Sequence, residues 1–219
     1  MLMGHASEDR FSLDEAGLDA KAIEQFEAYL ALLVKWNARI NLTSVRKPEE
    51  IVRRHFAESI FAAQQIPKNV KTLLDFGSGA GFPGIPIAIC RSKIGVTLAE
   101  SQGKKAAFLQ EVVRTLGLKA EVWAGRVEEM AHHPATPKPG APGTPEVSRV
   151  FDAVTLRAVD RMAKAARMAV ERLAVGGWLA VFATRKTEAT LEKLEGIRWE
   201  AAVAIPGSEQ EILKAGFRV

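Results

Sequence analysis

Leu73-Leu74-Asp75-Phe76-Gly77-Ser78-Gly79-Ala80-Gly81-Phe82-Pro83-Gly84 is the stretch on which the reading of this chain turns. A short apolar run ends in an acid, and four glycines and a proline follow within eight residues. Ile85-Pro86-Ile87-Ala88-Ile89 then gives an apolar run that suits a helix. The pattern reads as strand, tight turn and helix N-terminus. Glycine admits positive φ and lets a ligand come close to the main chain. A helix N-terminus presents N–H groups that have no partner within the helix. The stretch is therefore a candidate cofactor turn.

Two fingerprints overlap in it. Gly79, Gly81 and Gly84 spell G-x-G-x-x-G, the dinucleotide pattern. Asp75, Gly77, Gly79 and Gly81 spell D-x-G-x-G-x-G, the usual first motif of class I S-adenosylmethionine methyltransferases. Asp75 stands just before the first glycine, where the ammonium group of a zwitterionic ligand can use it. Pro83 and Pro86 lack N–H groups and weaken a phosphate cradle built from consecutive amides. Glu100, at the end of the next strand, suits either cofactor, because a carboxylate accepts hydrogen bonds from both ribose hydroxyls. Context favours the methyl donor, since about 70 residues of helical pattern precede the first strand and can cap a substrate.

Working outward, the chain has 219 residues, enough for one sizeable α/β domain with a small appendage. Residues 1–17 read as a flexible tail. Residues 18–70 read as a helical cap, with Ile23, Phe26, Leu30, Leu33 and Val34 on one helical face and Pro48-Glu49-Glu50 as a first turn. Residues 71–219 read as the α/β core. Strands are expected at 72–76, 96–100, 121–124, 151–156 and 178–183, each followed by a helical pattern. Two further strands, 197–205 and 211–218, flank Pro206-Gly207. Residues 134–148 form a proline-rich loop inserted into this alternation. The fold class is α/β, Rossmann-like, with a mostly parallel seven-stranded sheet and an antiparallel C-terminal edge strand.

The totals narrow the function classes. A net charge of +4 and a pI near 9.3 permit a polyanionic partner without demanding one. Cys90 is the single cysteine, so neither an internal disulfide nor a cysteine-built zinc site is available. The first ten residues are polar and carry no secretory signal pattern, and no apolar run approaches the roughly 18 residues of a membrane span. The expectation is a cytoplasmic protein with no metal and no membrane partner.

Three segments together resemble one family. They are GSGAGFPGIP at 77–86, WNARINLTSVRKPEEIVRRHFAES at 36–59 and GRVEE at 125–129. These are similar to the small-subunit ribosomal RNA methyltransferase G family over about residues 26–185, and Phe82-Pro83-Gly84-Ile85-Pro86 is the most specific part. The resemblance implies a class I methyltransferase fold, S-adenosyl-L-methionine as cofactor, and transfer to N7 of a guanine in the 530 loop of 16S rRNA. It places cofactor contacts on Gly77, Phe82, Val127, Glu128, Arg157 and the ribose-side acid Glu100. Asp75 and Gly79 join them from the motif. Guanine N7 carries no proton, so no general base is required. Arg157, at the end of the fourth strand, is the candidate for positioning the reactants.

Candidate RNA contacts are Arg46, Lys47, Arg53, Arg54 and His55 in the cap, Lys104 and Lys105 at a helix start, and Arg185 and Lys186 after the fifth strand. His55 reads equally as an RNA contact or a packed core histidine. The four tryptophans read as core or rim residues, and His132-His133 as solvated. The family's Ser-Arg-Ala is Leu156-Arg157-Ala158 here, and its basic pair on the last strand is replaced by Gln210-Glu211. The expected partner is 16S rRNA or the small ribosomal subunit rather than DNA, with the protein a monomer. An oxidoreductase using NAD(P) and a non-catalytic RNA-binding protein are the alternatives. The first lacks an evident Tyr-Lys pair, because the single tyrosine, Tyr29, lies far from the turn in sequence.

Overall fold

A computed structural model describes residues 13, 16–130, 149–159 and 162–219. The proline-rich loop, His132-His133 and most of the N-terminal tail lie outside the described residues. Helix α1 (Ala20–Asn37) opens the cap, with Asp19 at its N-cap accepting from the Ala22 N–H at 2.8 Å. Short helix α2 (Pro48–Glu50) runs into a π-helical segment (Ile51–Phe56) and then α3 (Ala57–Gln65). The single helix expected from 48 to 65 is thus widened in its middle, as π-segments at functional sites often are.

The core alternates as its sequence pattern implies. The order is β1 (Thr72–Phe76), α4 (Gly84–Cys90), β2 (Gly95–Ala99), α5 (Gly103–Leu116) and β3 (Ala120–Trp123). A 3-10 turn (Val127–Glu129) follows, then β4 (Phe151–Leu156), α6 (Met162–Glu171), β5 (Leu173–Thr184) and α7 (Arg185–Leu191). The chain ends with β6 (Ile197–Trp199), β7 (Val203–Ala204) and β8 (Glu211–Arg218). Gly117, left-handed at φ 59°, ends α5 in the C-cap role. β5 starts five residues before the expected strand, with Gly176-Gly177 inside it and a register irregularity against β4.

The sheet order is β3-β2-β1-β4-β5-β8-β6, with β7 also on β8. Pairs among β1 to β5 are parallel, and every pair made by β8 is antiparallel. The sheet is therefore seven strands wide. The strand expected over 197–205 is broken into β6 and β7. Trp199 faces Gly216 and Val203 faces Leu213, four residues on along one strand against three back along the other, which is a one-residue bulge. β8 lies between β5 and the edge segments rather than at the edge itself.

Period-two alternation assigns the two faces. Leu73, Val96, Leu98, Ala153, Trp178 and Ala180 pack under α1, α3, α4 and α5. Leu74, Val154, Leu156, Leu179 and Val181 pack under α6. The helical cap thus belongs to one continuous core with half of the sheet. Chain order reverses between β1 and β4, the place where open α/β sheets hold ligands at the carboxyl ends of their strands.

Candidate active site

A cavity of about 850 Å³ lies at that switch point, over the carboxyl ends of β1, β2, β3 and β4. Its size suits a cofactor of nucleoside dimensions. Gly77, Ser78, Gly79, Ala80 and Phe82 form one wall. Gly77 and Gly79 have φ of 73° and 59°, a region that glycine enters without the Cβ penalty. The turn is locked from behind. Ser78 N–H donates to Ala99 O at 2.9 Å, and Gly81 N–H to Ser78 O at 2.7 Å. The Tyr29 hydroxyl, distant in sequence, donates to Ala80 O at 2.6 Å.

Asp75, expected to meet the ligand, stands back from the cavity. Asp75 is 1% exposed, lies behind the turn and is not among the residues lining the cavity. One carboxylate oxygen accepts from Gly84 N–H at 3.2 Å and the other from Thr155 Oγ1 at 2.9 Å. The acid joins the turn to β4. Its side chain points into the core because strand residues alternate faces, and burial pushes its pKa up to about 6 against those stabilising hydrogen bonds.

Glu100 does line the cavity, 6% exposed. Its carboxylate accepts from Gly79 N–H at 2.9 Å and Gln102 N–H at 2.7 Å. Two of about four acceptor positions remain for a ligand. Val127 and Glu128 form the third edge. Arg172, which the sequence reading missed, donates to Val127 O at 3.0 Å and holds that backbone.

Arg157 closes the opposite wall. Its guanidinium donates to Glu58 in a buried ion pair, to His55 Nδ1 at 3.0 Å and to Ser59 Oγ at 3.4 Å. It also lies over the Phe82 and Phe182 rings, 5.8 and 5.1 Å from their centroids. The next residue, Ala158, holds φ 48°, a left-handed conformation unusual for a residue with a Cβ. His55 is packed and lines the cavity at once. Its ring sits 4.8 Å from that of Phe82, and its Nε2 pairs with Thr43 Oγ1 at 3.0 Å. Because Nδ1 accepts from Arg157, Nε2 carries the proton and donates to Thr43. Burial, with Arg157 and Arg54 nearby, lowers the His55 pKa to about 3, so the imidazole is neutral. Burial also raises Glu58 to about 7, with Arg157 opposing and Glu211 reinforcing. Glu58 was not a sequence candidate. The i,i+3 spacing of His55 and Glu58, on one helical face, is the signal that marks it.

The cationic candidates separate. Arg46, Lys104 and Lys105 meet, with Arg39, in a crevice of about 410 Å³ that shares Gln102 and Lys105 with the main cavity. Arg53, Arg54 and Lys47 are exposed and line neither space. Arg185 is exposed outside both, 3.6 Å from Glu188, and Lys186 is exposed beside it. Among the described residues no cluster of three or more metal-ligating side chains occurs.

A mostly parallel sheet with a glycine turn after its first strand and an acid after its second is a nucleoside-cofactor fold, and the family to which the chain belongs makes it a class I methyltransferase with S-adenosylmethionine as methyl donor. Solved structures agree on the fold. A SAM-dependent methyltransferase from Aquifex aeolicus superposes with a TM-score of 0.55 at 18% identity, covering 78% of this chain and 93% of that one. A cofactor-bound protein from MTB gives 0.56 at 16%, covering 89% of each. The chain belongs to the rRNA small subunit methyltransferase G family, whose model matches residues 22–204. Ribosomal RNA small subunit methyltransferase G of Desulfitobacterium hafniense is 33% identical over 97% of this chain and 81% of that protein. The Xanthomonas campestris protein of that name is 37% identical over 94% and 81%. For the Roseiflexus castenholzii protein the match is 40% over 73% of this chain and 64% of that protein's length. No helix among the described residues is long and apolar enough to cross a membrane.

Proposed function

We propose that this protein methylates N7 of a guanine in the 530 loop of 16S rRNA, acting as a cytoplasmic monomer on the rRNA or the small subunit. The observation that carries the choice of acceptor is His55. Among the described residues it is the one histidine lining the cavity, and both ring nitrogens are engaged while the ring is held neutral. A base so occupied takes no proton from an acceptor, and guanine N7 has none to give.

The residues present fit the cofactor. Gly77 and Gly79 offer backbone without side chains, and a Cβ on Gly79 would meet nothing nearer than Gly77 O at 3.8 Å. Glu100 keeps free acceptor positions for ribose hydroxyls, and Val127 and Glu128 form the edge for the adenine. When bound, S-adenosylmethionine supplies an electrophilic methyl group on sulfur. Phe82, Arg157 and His55 then shape the acceptor side, where positioning is the main contribution a protein makes to such a displacement. Arg46, Lys104 and Lys105 contact RNA phosphates, with Arg53, Arg54 and Arg185 further out.

The test is strand scission at N7-methylguanine, by borohydride and aniline, in 16S rRNA from cells with and without the protein. One site in the 530 loop is lost on deletion and restored by the wild-type gene. An unchanged scission pattern overturns the acceptor assignment. Calorimetry that detects NAD binding but no S-adenosylmethionine binding overturns the cofactor site.

A further inference from the structure

Arg157 and Glu58 stand 99 residues apart in sequence and meet where the cap touches the core. Glu58 lies behind the guanidinium and does not line the cavity. Their side chains are 12% and 5% exposed. His55, Glu58 and Ser59 grip Arg157 from the cap, while Phe82 and Phe182 hold it from the core. Of these partners Glu58 alone is anionic. A buried guanidinium deprived of its carboxylate is left uncompensated, and that costs far more than losing an exposed pair. Glu211, the first residue of β8, faces Glu58 from the sheet, and Arg54 faces it from the π-helical segment. Asp75 and Tyr29 lie within electrostatic reach of Arg157 on the turn side.

We propose that Glu58 is a positioning residue for methyl transfer: ionised, it anchors the Arg157 guanidinium in the acceptor wall and fixes the helical cap on the core. This rests on the function proposed above, in which Arg157 orients the reactants. Protonation of Glu58 releases the anchor. Burial and the neighbouring Glu211 carboxylate both favour the protonated form, whereas Arg157 and Arg54 oppose it. The rate therefore falls as pH drops through the raised Glu58 pKa. Glu211→Gln removes the like charge and offers an N–H donor to ionised Glu58, so it moves that acid limb to lower pH.

The experiment measures kcat/KM for the RNA against pH in wild type, Glu58→Gln, Glu58→Asp and Glu211→Gln, with calorimetric S-adenosylmethionine affinity alongside. Glu58→Gln loses roughly 10²-fold in kcat/KM, the scale of a misplaced reacting group. It has no acid limb, its cofactor affinity falls by much less than its rate, and Glu58→Asp recovers part of the rate. A Glu58→Gln variant with wild-type rate and limb overturns the proposal. So does a Glu211→Gln variant whose limb does not move, which decides the matter alone should Glu58→Gln fail to fold. If the wild type transfers no methyl group, the proposed function fails by itself. Hydrogen exchange over residues 55–63 then tests the anchor: equal protection in wild type and Glu58→Gln overturns it.

Discussion

On one wall of the cavity, ten consecutive residues from Asp75 to Gly84 shape the backbone of a turn. On the other, Arg157 meets His55, Glu58 and Ser59 from 98 to 102 residues away. The first wall is held by sterics. Gly81 and Gly84 leave no room for a Cβ, and the wall's one acid braces the turn from behind. The second is held by charge and by aromatic rings. Its partners include two titratable groups whose pKa values are displaced in opposite directions. A volume change should therefore break the first wall, and a proton the second.

The largest effect is expected from Gly81→Ala. Gly81 has φ 99°, and a Cβ there would lie 2.6 Å from Ile85 Cγ1 and 2.9 Å from the Tyr29 hydroxyl. Left-handed strain of about 1–2 kcal/mol adds to overpacking of about 1–3 kcal/mol, giving a loss of roughly 2–5 kcal/mol. Gly79→Ala suffers the strain without the clash and loses only about 1–2 kcal/mol. Urea midpoints at neutral pH measure both. Equal losses would mean that backbone conformation alone, and not close packing, shapes this wall.

The same contrast explains what the sequence discloses. Asp75 to Gly84 and Glu100 were legible because their spacing is local: strand, turn, helix and next strand-end follow one another in the chain. The strand-helix alternation and the use of Gly117 as a cap are legible for the same reason. The place of Asp75 behind the turn was not legible, since a motif names a residue but not the face to which its side chain turns. The Arg157 cluster was not legible, because pairing it with Glu58 requires knowing that α3 packs beside the end of β4. Tyr29 is the clearest instance. Sequence distance sets it apart from the turn, yet folding puts its hydroxyl on Ala80 O. The bulge that splits β6 from β7 carried no Gly or Pro signal, as it depends on register against β8.

A smaller effect tests the charged wall through stability. His55 has a folded pKa near 3, below its ordinary 6.5. Below pH 6.5 the unfolded chain binds a proton that the folded chain refuses, so His55 lowers stability progressively as pH falls toward 3. One such group contributes about 1.4 kcal/mol per pH unit. Asp75 and Glu58, both raised, act with the opposite sign, gaining stability as pH falls through their folded values. Comparing wild type with His55→Asn removes the carboxylates from the difference. The wild-type advantage at neutral pH should shrink by up to about 1.4 kcal/mol per pH unit below 6.5. Parallel stability curves for the two proteins would mean that His55 is not held neutral.

The smallest effect separates the walls from the surface around them. Lys105 lines both the main cavity and the basic crevice, and no acidic side chain lines that crevice among the described residues. Lys105→Gln keeps a polar, flexible side chain and removes its charge. If one RNA phosphate sits on it, the slope of log affinity against log salt falls by about 0.7 to 0.9, the release of a single counterion. Binding weakens a few-fold at low salt, converges with wild type as salt rises, and leaves the urea midpoint unchanged. That convergence is the diagnostic, because a fault in either wall would persist at high salt. An unchanged slope would move the phosphate path off this crevice and leave Arg53 and Arg54, exposed on the π-helical segment, as the cations that meet the RNA.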